Sequence, residues 1–467
     1  MKRKIYWKWP LLLAVALGGA SARPAMSQES GPSADAGALT LEAAVRRALT
    51  RNLELSVAES RVASAAGRAA QAKLWPNPEL ELSAEDWPTE GGGFSEAKKL
   101  AGVSQTFPFP GKKKLEGRIG EWGVRLSQAE YDLRRVELVR EVKTAFFEVL
   151  AAERLTAVAR ELVAVAESSA ATARKRVQAG AAADQEQLRA EIPLEQARTE
   201  LAGFEREEEA ARQKLAHLLG SPEWAGAPVS GALAETADLA VLETAPARWL
   251  AGHPSVRAAR ADKERADAAE RRARLEPYPD VKFGAAGGQE AGSRASIVQF
   301  SLSLPLPLID RSRGRRQEAR ADAAAAAAGL AAVEQQLLRD WSTASQRLRT
   351  AAQQAAGYRE RILPRATEAL RLVQRGFEEG KFGFMDLLDT QRTAAEARLS
   401  YQQKLLELNI AQANIEALLA AGADEPRGAR GAPAPETAWA GPPENPARAG
   451  GPAARPITGT DFNPHDL

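Results

Sequence analysis

Few residues in this sequence have the type and spacing that chemistry needs. It contains no cysteine, which excludes thiolate metal sites, a thiol nucleophile, disulfides and an acylated cysteine anchor. The three histidines, His217, His253 and His465, lie far apart. None has the H-x-x-H or H-x-x-x-H spacing of a zinc ligand pair. No nucleophile stands with a base, so the chain holds no recognisable catalytic set and calls for no cofactor. What remains is a carboxylate pair, Asp386 and Asp389, whose i,i+3 spacing puts both on one helix face. In the first turn of a helix such residues favour its dipole. Anything further depends on the elements that position them.

The balance of charge narrows the partners. Lys plus Arg number 63 against 61 Asp plus Glu, so the one-sign field of a nucleic-acid binder is missing. Lys2, Arg3, Lys4 and Lys8 precede the apolar stretch Leu11 to Leu17 and then small residues, which reads as a secretory signal peptide over residues 1–27. Cleavage after Ala22 or Ser27 suits the small-residue rule. The apolar run is too short for a membrane span, which needs roughly 20 residues, and charges interrupt every later apolar stretch. A membrane role would therefore need strands. Residues 28–38 read as a linker, and 422–467, rich in Pro, Gly and Ala, as a disordered tail.

The chain is written twice. Asn52 to Ala84 aligns without a gap on His253 to Ala285, placing Trp75-Pro-Asn-Pro78 on Glu276-Pro-Tyr-Pro279. At nearly the same offset Ser104-Gln-Thr-Phe-Pro-Phe-Pro110 matches Ser301-Leu-Ser-Leu-Pro-Leu-Pro307, and the Gly180 to Leu188 spacing returns at Gly380 to Leu388. Two copies make a duplicated half rather than a solenoid. The repeats span 39–220 and 253–421, with a connector over 221–252. Each begins with a helix: Leu39 to Trp75, opened by Thr40 and stopped by Pro76, and Ser255 to Glu276. Each continues with strands of period two. Leu80, Leu82 and Ala84 alternate with Glu79, Glu81, Ser83 and Glu85, and Val298, Phe300, Leu302 and Leu304 alternate with Gln299, Ser301 and Ser303. The partner strands are expected at Leu100 to Phe107 and Asp280 to Ala286.

Very long helices follow, Lys112 to Gln178 and Arg315 to Gly376, each roughly 90 to 100 Å at 1.5 Å per residue. Gly180 and Gly380 stand as C-caps. Return helices, Asp184 to Leu219 and Met385 to Leu419, are half as long, so the helices before the strands fill the remainder by stacking end to end with them. Two hairpins supply four strands, too few to close a barrel or hide edges in lipid. The chain must pool its strands with copies of itself if they enter a membrane. Leu80, Leu82, Val298, Phe300 and Leu302 would then face lipid, and the alternate polar residues a wet lumen.

These features together resemble the TolC-like outer membrane factors. The carriers are the duplication, Leu39-Thr-Leu-Glu-Ala-Ala-Val, the proline-bounded hairpins and Phe377-Glu-Glu-Gly-Lys-Phe-Gly-Phe-Met-Asp-Leu-Leu-Asp-Thr-Gln391. The resemblance implies a mainly α fold with a small membrane β contribution. It implies a homotrimer with a twelve-stranded barrel in the bacterial outer membrane and an α-helical tunnel in the periplasm. It further implies docking of a periplasmic adaptor and an inner-membrane transporter. Ser104-Gln-Thr-Phe-Pro-Phe-Pro-Gly-Lys112 is similar to the branch serving heavy-metal pumps of the resistance-nodulation-division type. Such a duct is passive and not an enzyme.

In that family the narrowest point is the periplasmic tip. By resemblance Asp386 and Asp389, with Glu186 at the equivalent place in the first copy, form rings of a cation-selective constriction, and Gly180, Gly380, Lys381, Phe382 and Phe384 form the tip and adaptor contact. Phe377 and Phe382 replace hydrogen-bonding residues that tie the tip of the best-known member, leaving Arg189, Arg375 or Lys381 to pair with the carboxylates. Ala323 to Ala328 reads as close helix packing, Trp87 as an interface aromatic and Trp75 as packing at the helix-to-strand junction. The alternative from another class is a soluble periplasmic coiled-coil adaptor or structural rod, which would fractionate without detergent.

Overall fold

A computed structural model describes residues 38–86, 97–244, 246–290, 293 and 295–420. The expected signal peptide, nearly all of the expected linker, Trp87, and the expected tail fall outside the described residues. The first repeat contains α1 (Leu41–Arg51), α2 (Leu53–Lys73), β1 (Glu79–Glu85), β2 (Lys98–Phe107), α3 (Lys112–Gln178) and α4 (Asp184–Leu218). The connector carries the short α5 (Pro246–Trp249). The second repeat contains α6 (Pro254–Arg274), β3 (Val281–Gln289), β4 (Ser296–Ser303), α7 (Arg313–Gly357), α8 (Leu363–Glu378) and α9 (Phe384–Ala420). One shift of 201 positions carries Leu53–Lys73 onto Pro254–Arg274 and Lys112 onto Arg313. The same shift carries the first hairpin ladder onto the second, so that Glu81 opposite Gly102 becomes Lys282 opposite Ser303.

Two helices expected to be continuous are broken, each for a local reason. Thr40 caps α1 as expected, its hydroxyl accepting the Ala43 N–H at 3.3 Å, but Leu39 lies outside the helix in a parallel bridge to Val229. Asn52 then leaves helical geometry (φ −66°, ψ 124°). Its Oδ1 accepts the N–H groups of Glu54 and Leu55 at 3.0 and 3.2 Å, and its Nδ2 donates to the Leu218 carbonyl at 3.1 Å. One side chain thus caps α2 and ties it to the end of α4, which is the end-to-end stacking that the helix lengths require. In the second repeat the long helix opens into a π turn, Tyr358–Ile362, between α7 and α8. Pro364 has no N–H and its ring would collide with the Glu360 carbonyl, and the wider turn relieves this. The Leu363 N–H accordingly reaches back to Tyr358.

The long α3 is the spine, packed against α2, α4, α6 and α9. One apolar core centres on Phe146, Leu138, Val142 and Leu219, and another on Trp249, Trp341, Leu348 and Leu408. The connector is sewn to the second: buried Asn409 accepts the Ala234 N–H at 2.9 Å and donates to the Ala234 and Leu405 carbonyls at 3.0 and 2.8 Å. Lys143 and Glu416, 2.6 Å apart, join α3 to α9.

The strands form one antiparallel sheet in the order β1-β2-β3-β4. Leu80 is paired with Val103, Val103 with Ala285 and Ala285 with Phe300, so one face carries the apolar set across all four strands. The opposite face carries Glu81, Lys282 and Ser303. No helix among the described residues is long and apolar enough to cross a membrane.

Candidate functional site

The sheet and the far helical turns are the two regions on which function can rest. On the sheet, Leu80, Leu82, Val298, Phe300 and Leu302 are each 70% exposed or more, an unusual concentration of bare large apolar side chains. The polar face is internally satisfied. The Ser104 hydroxyl donates to Glu81 at 2.7 Å, and Lys282 lies 2.8 Å from Glu79 and 2.9 Å from Glu81. The outer edges of β1 and β4 have no strand partner among the described residues. Trp75 meets Phe107 edge to face at 6.0 Å where helix passes into strand, although its own ring stays 59% exposed.

At the other end, α3 turns into α4 and α8 into α9 through matching caps. Gly180 and Gly380 adopt φ of +70° and +76°. The bonds Gly180 N–H to Val177 and Ala181 N–H to Arg176 are repeated as Gly380 N–H to Phe377 and Lys381 N–H to Gly376. This 6→1, 5→2 pattern needs a left-handed residue at C′, where glycine is unstrained. Asp386 and Asp389 are both exposed in the first turns of α9. Asp386 Oδ2 accepts the Gly383 N–H at 2.9 Å, so this carboxylate caps its helix and keeps further lone pairs free.

The two tips are held differently. In the first, Glu186 pairs with Arg176 of α3 at 3.2 Å, and that guanidinium also lies 5.8 Å from the Phe377 ring centre. In the second, the position matching Arg176 is Gly376, and Phe382 folds onto it. A Cβ at Gly376 would stand 2.2 Å from the ring, so only glycine admits the contact. Lys381 pairs with Glu379 at 2.6 Å rather than with the aspartates. Arg189 and Arg375 form no ion pair with Asp386 or Asp389 among the described residues.

Phe384 departs from its expected place on the contact surface. It is 6% exposed and sits with Ala170, Ala173, Ala190 and Leu194, where small residues of α3 and α4 leave a socket. Its ring locks the second helical hairpin to the first and is not free for a partner. The sequence reading missed Arg176; its only sequence signal is a basic residue in the last turn of a helix, where the dipole favours one.

An open-edged antiparallel sheet joined to duplicated long helical hairpins is the fold of solved outer membrane channels. The chain belongs to the family described as outer membrane efflux protein, which matches residues 44–221 and 245–421. It is 31% identical over 397 residues to the cobalt-zinc-cadmium resistance protein CzcC of Cupriavidus metallidurans, covering 83% of this chain and 91% of that protein. Among solved structures it resembles the Neisseria gonorrhoeae MtrE outer membrane channel in its open state, with a TM-score of 0.70, 19% identity, and 82% and 89% of the two chains covered. It also resembles the outer membrane protein VceC of Vibrio cholerae, with a TM-score of 0.67, 19% identity, and 81% and 95% covered.

Proposed function

We propose that three copies of this chain form the passive outer membrane exit duct of a tripartite pump exporting divalent metal cations. A periplasmic adaptor and an inner-membrane transporter of the resistance-nodulation-division type complete the pump. The observation that carries this reading is the sheet: four strands with two unpaired edges and a continuous bare apolar face are stable in a bilayer only when several copies close a barrel. Similarity to a cobalt-zinc-cadmium resistance protein over most of both chains supports the choice of cargo. No step of bond making or breaking is involved.

In this reading Asp386 and Asp389 supply six carboxylates around the trimer axis, and exposed Lys381 and Phe382 lie on the surface offered to the adaptor. Glu186 is a weaker member of the constriction, because Arg176 already neutralises it. Crowded carboxylates favour cations and bind multivalent ions that block flow. Single-channel recording in planar bilayers tests this with the double variant Asp386→Asn, Asp389→Asn, which keeps shape and removes charge. The variant should lose cation selectivity and sensitivity to trivalent-cation block. If both persist, the constriction lies elsewhere.

A further inference from the structure

The internal duplication specifies how one chain grips the next. Within the chain the two repeats meet along β2 and β3, and beneath that seam lies a built junction. Lys112, the first residue of α3, is buried at 5% exposure, and its Nζ lies 2.8 Å from Asp280 Oδ1, which also accepts the Phe109 N–H at 2.8 Å. A cation at a helix N-terminus opposes the dipole, and a buried one is costly unless paired. Asp280 answers both needs.

The shift of 201 positions that superposes the repeats carries this junction onto one that a single chain leaves unmade. Lys112 maps to Arg313, the first residue of α7, and both helices are entered through a left-handed residue, Gly111 at φ 93° and Ser312 at φ 53°. Asp280 maps to Glu79 at the start of β1. Arg313 is exposed and has no ion pair among the described residues, while Glu79 keeps 61% of its side chain exposed even though Lys282 touches it. The apolar contact follows the same rule. A Cβ at Gly111 would meet Leu275 at 3.3 Å, whereas Leu74, the counterpart of Leu275, is 56% exposed and Ser312, the counterpart of Gly111, is covered by its own chain.

We infer that the contact between subunits is a second copy of the junction within the subunit: Arg313 of one chain pairs with Glu79 of the next, beneath a seam of β4 on β1. Each cation then meets a carboxylate at the start of its helix, six times around the trimer, three within chains and three between them. The inference rests on the trimeric reading above and adds the residues of the contact.

The absence of cysteine makes the test clean. Arg313→Cys and Glu79→Cys together, treated in membranes with a short bismaleimide, should give covalent dimers and trimers on denaturing gels, and each single variant should stay monomeric. A second experiment avoids reliance on labelling. Arg313→Gln and Glu79→Gln should each lower the temperature at which the detergent-solubilised trimer dissociates, and the double variant should fall short of the sum. A trimer whose 79 and 313 cysteines stay unlinked, with additive losses, overturns the seam and leaves the trimer standing. A wild-type chain that runs as a monomer overturns the oligomeric reading and the seam together.

Discussion

Replacing His253 by Asn should remove an acid-sensitive step from the start of α6. His253 is 5% exposed and caps that helix, its Nδ1 accepting the Ser255 N–H at 3.2 Å. Burial, and then the nearby Arg257, push its pKa down from 6.5 to about 4. A folded pKa below the unfolded one favours the neutral ring. The associated stability is therefore complete above pH 6.5 and is lost as pH falls towards about 4. A gap of about 2.5 units corresponds to a ceiling of about 3.4 kcal/mol, and solvent screening brings the usable figure to roughly 1.5–3 kcal/mol. The first repeat supplies the control residue, since Asn52 holds the matching position and caps α2 without a titrating group. Hydrogen exchange of the first turn of α6, corrected for intrinsic rates, measures the local opening free energy. In the wild type this should fall by roughly 1–2 kcal/mol between pH 7.5 and 4.5, the rest being lost only at still lower pH, whereas His253→Asn should stay nearly flat. An equal fall in both proteins would refute the assignment of the acid step to this cap.

Two further perturbations separate the membrane wall from the connector. Phe300→Arg puts a charge on the bare apolar face and should cost about 2–4 kcal/mol per copy near the bilayer midplane, seen as reduced trimer yield in membranes. Asn409→Leu keeps volume but strands the Ala234 N–H and carbonyl, and at about 1–3 kcal/mol for each unsatisfied group it should free the connector to proteolysis near residues 230–245.

The parts of the fold legible in the sequence are those whose signals are local. Alternation and flanking prolines placed β1 and β4 within a residue or two, and the glycine caps placed both distal turns. The breaks at Asn52 and Tyr358–Ile362 were passed over because helical spacing of apolar residues resumes beyond each, although a cap-forming asparagine and Pro364 stand there. What decides the first is a side chain reaching Leu218, distant in sequence, and what decides the second is room for one proline ring. The repeat hid a subtler feature. Ser301-Leu-Ser-Leu-Pro-Leu-Pro307 looks equivalent to Ser104-Gln-Thr-Phe-Pro-Phe-Pro110, yet the ladders put it four residues early, and the extra Leu308–Arg311 restore phase before α7. At the tip, residue types drew attention to Asp386, Asp389 and Glu186, but not to the ion pair of Glu186 with Arg176 or to the burial of Phe384 among Ala170, Ala173 and Ala190. Both outcomes depend on which helices touch, and a motif does not record that.

The central claim is that these strands form a wall with lipid on one side and water on the other. The most direct test uses neighbours in β1, Leu82→Cys and Ser83→Cys, each the sole thiol in its chain. In intact membranes a membrane-impermeant maleimide should label the cysteine at 83 readily and leave the one at 82 untouched, while a lipid-soluble maleimide reaches 82. Equal labelling of both positions by the impermeant reagent would mean that the sheet lies in water, and would contradict the assignment of this chain as a membrane duct.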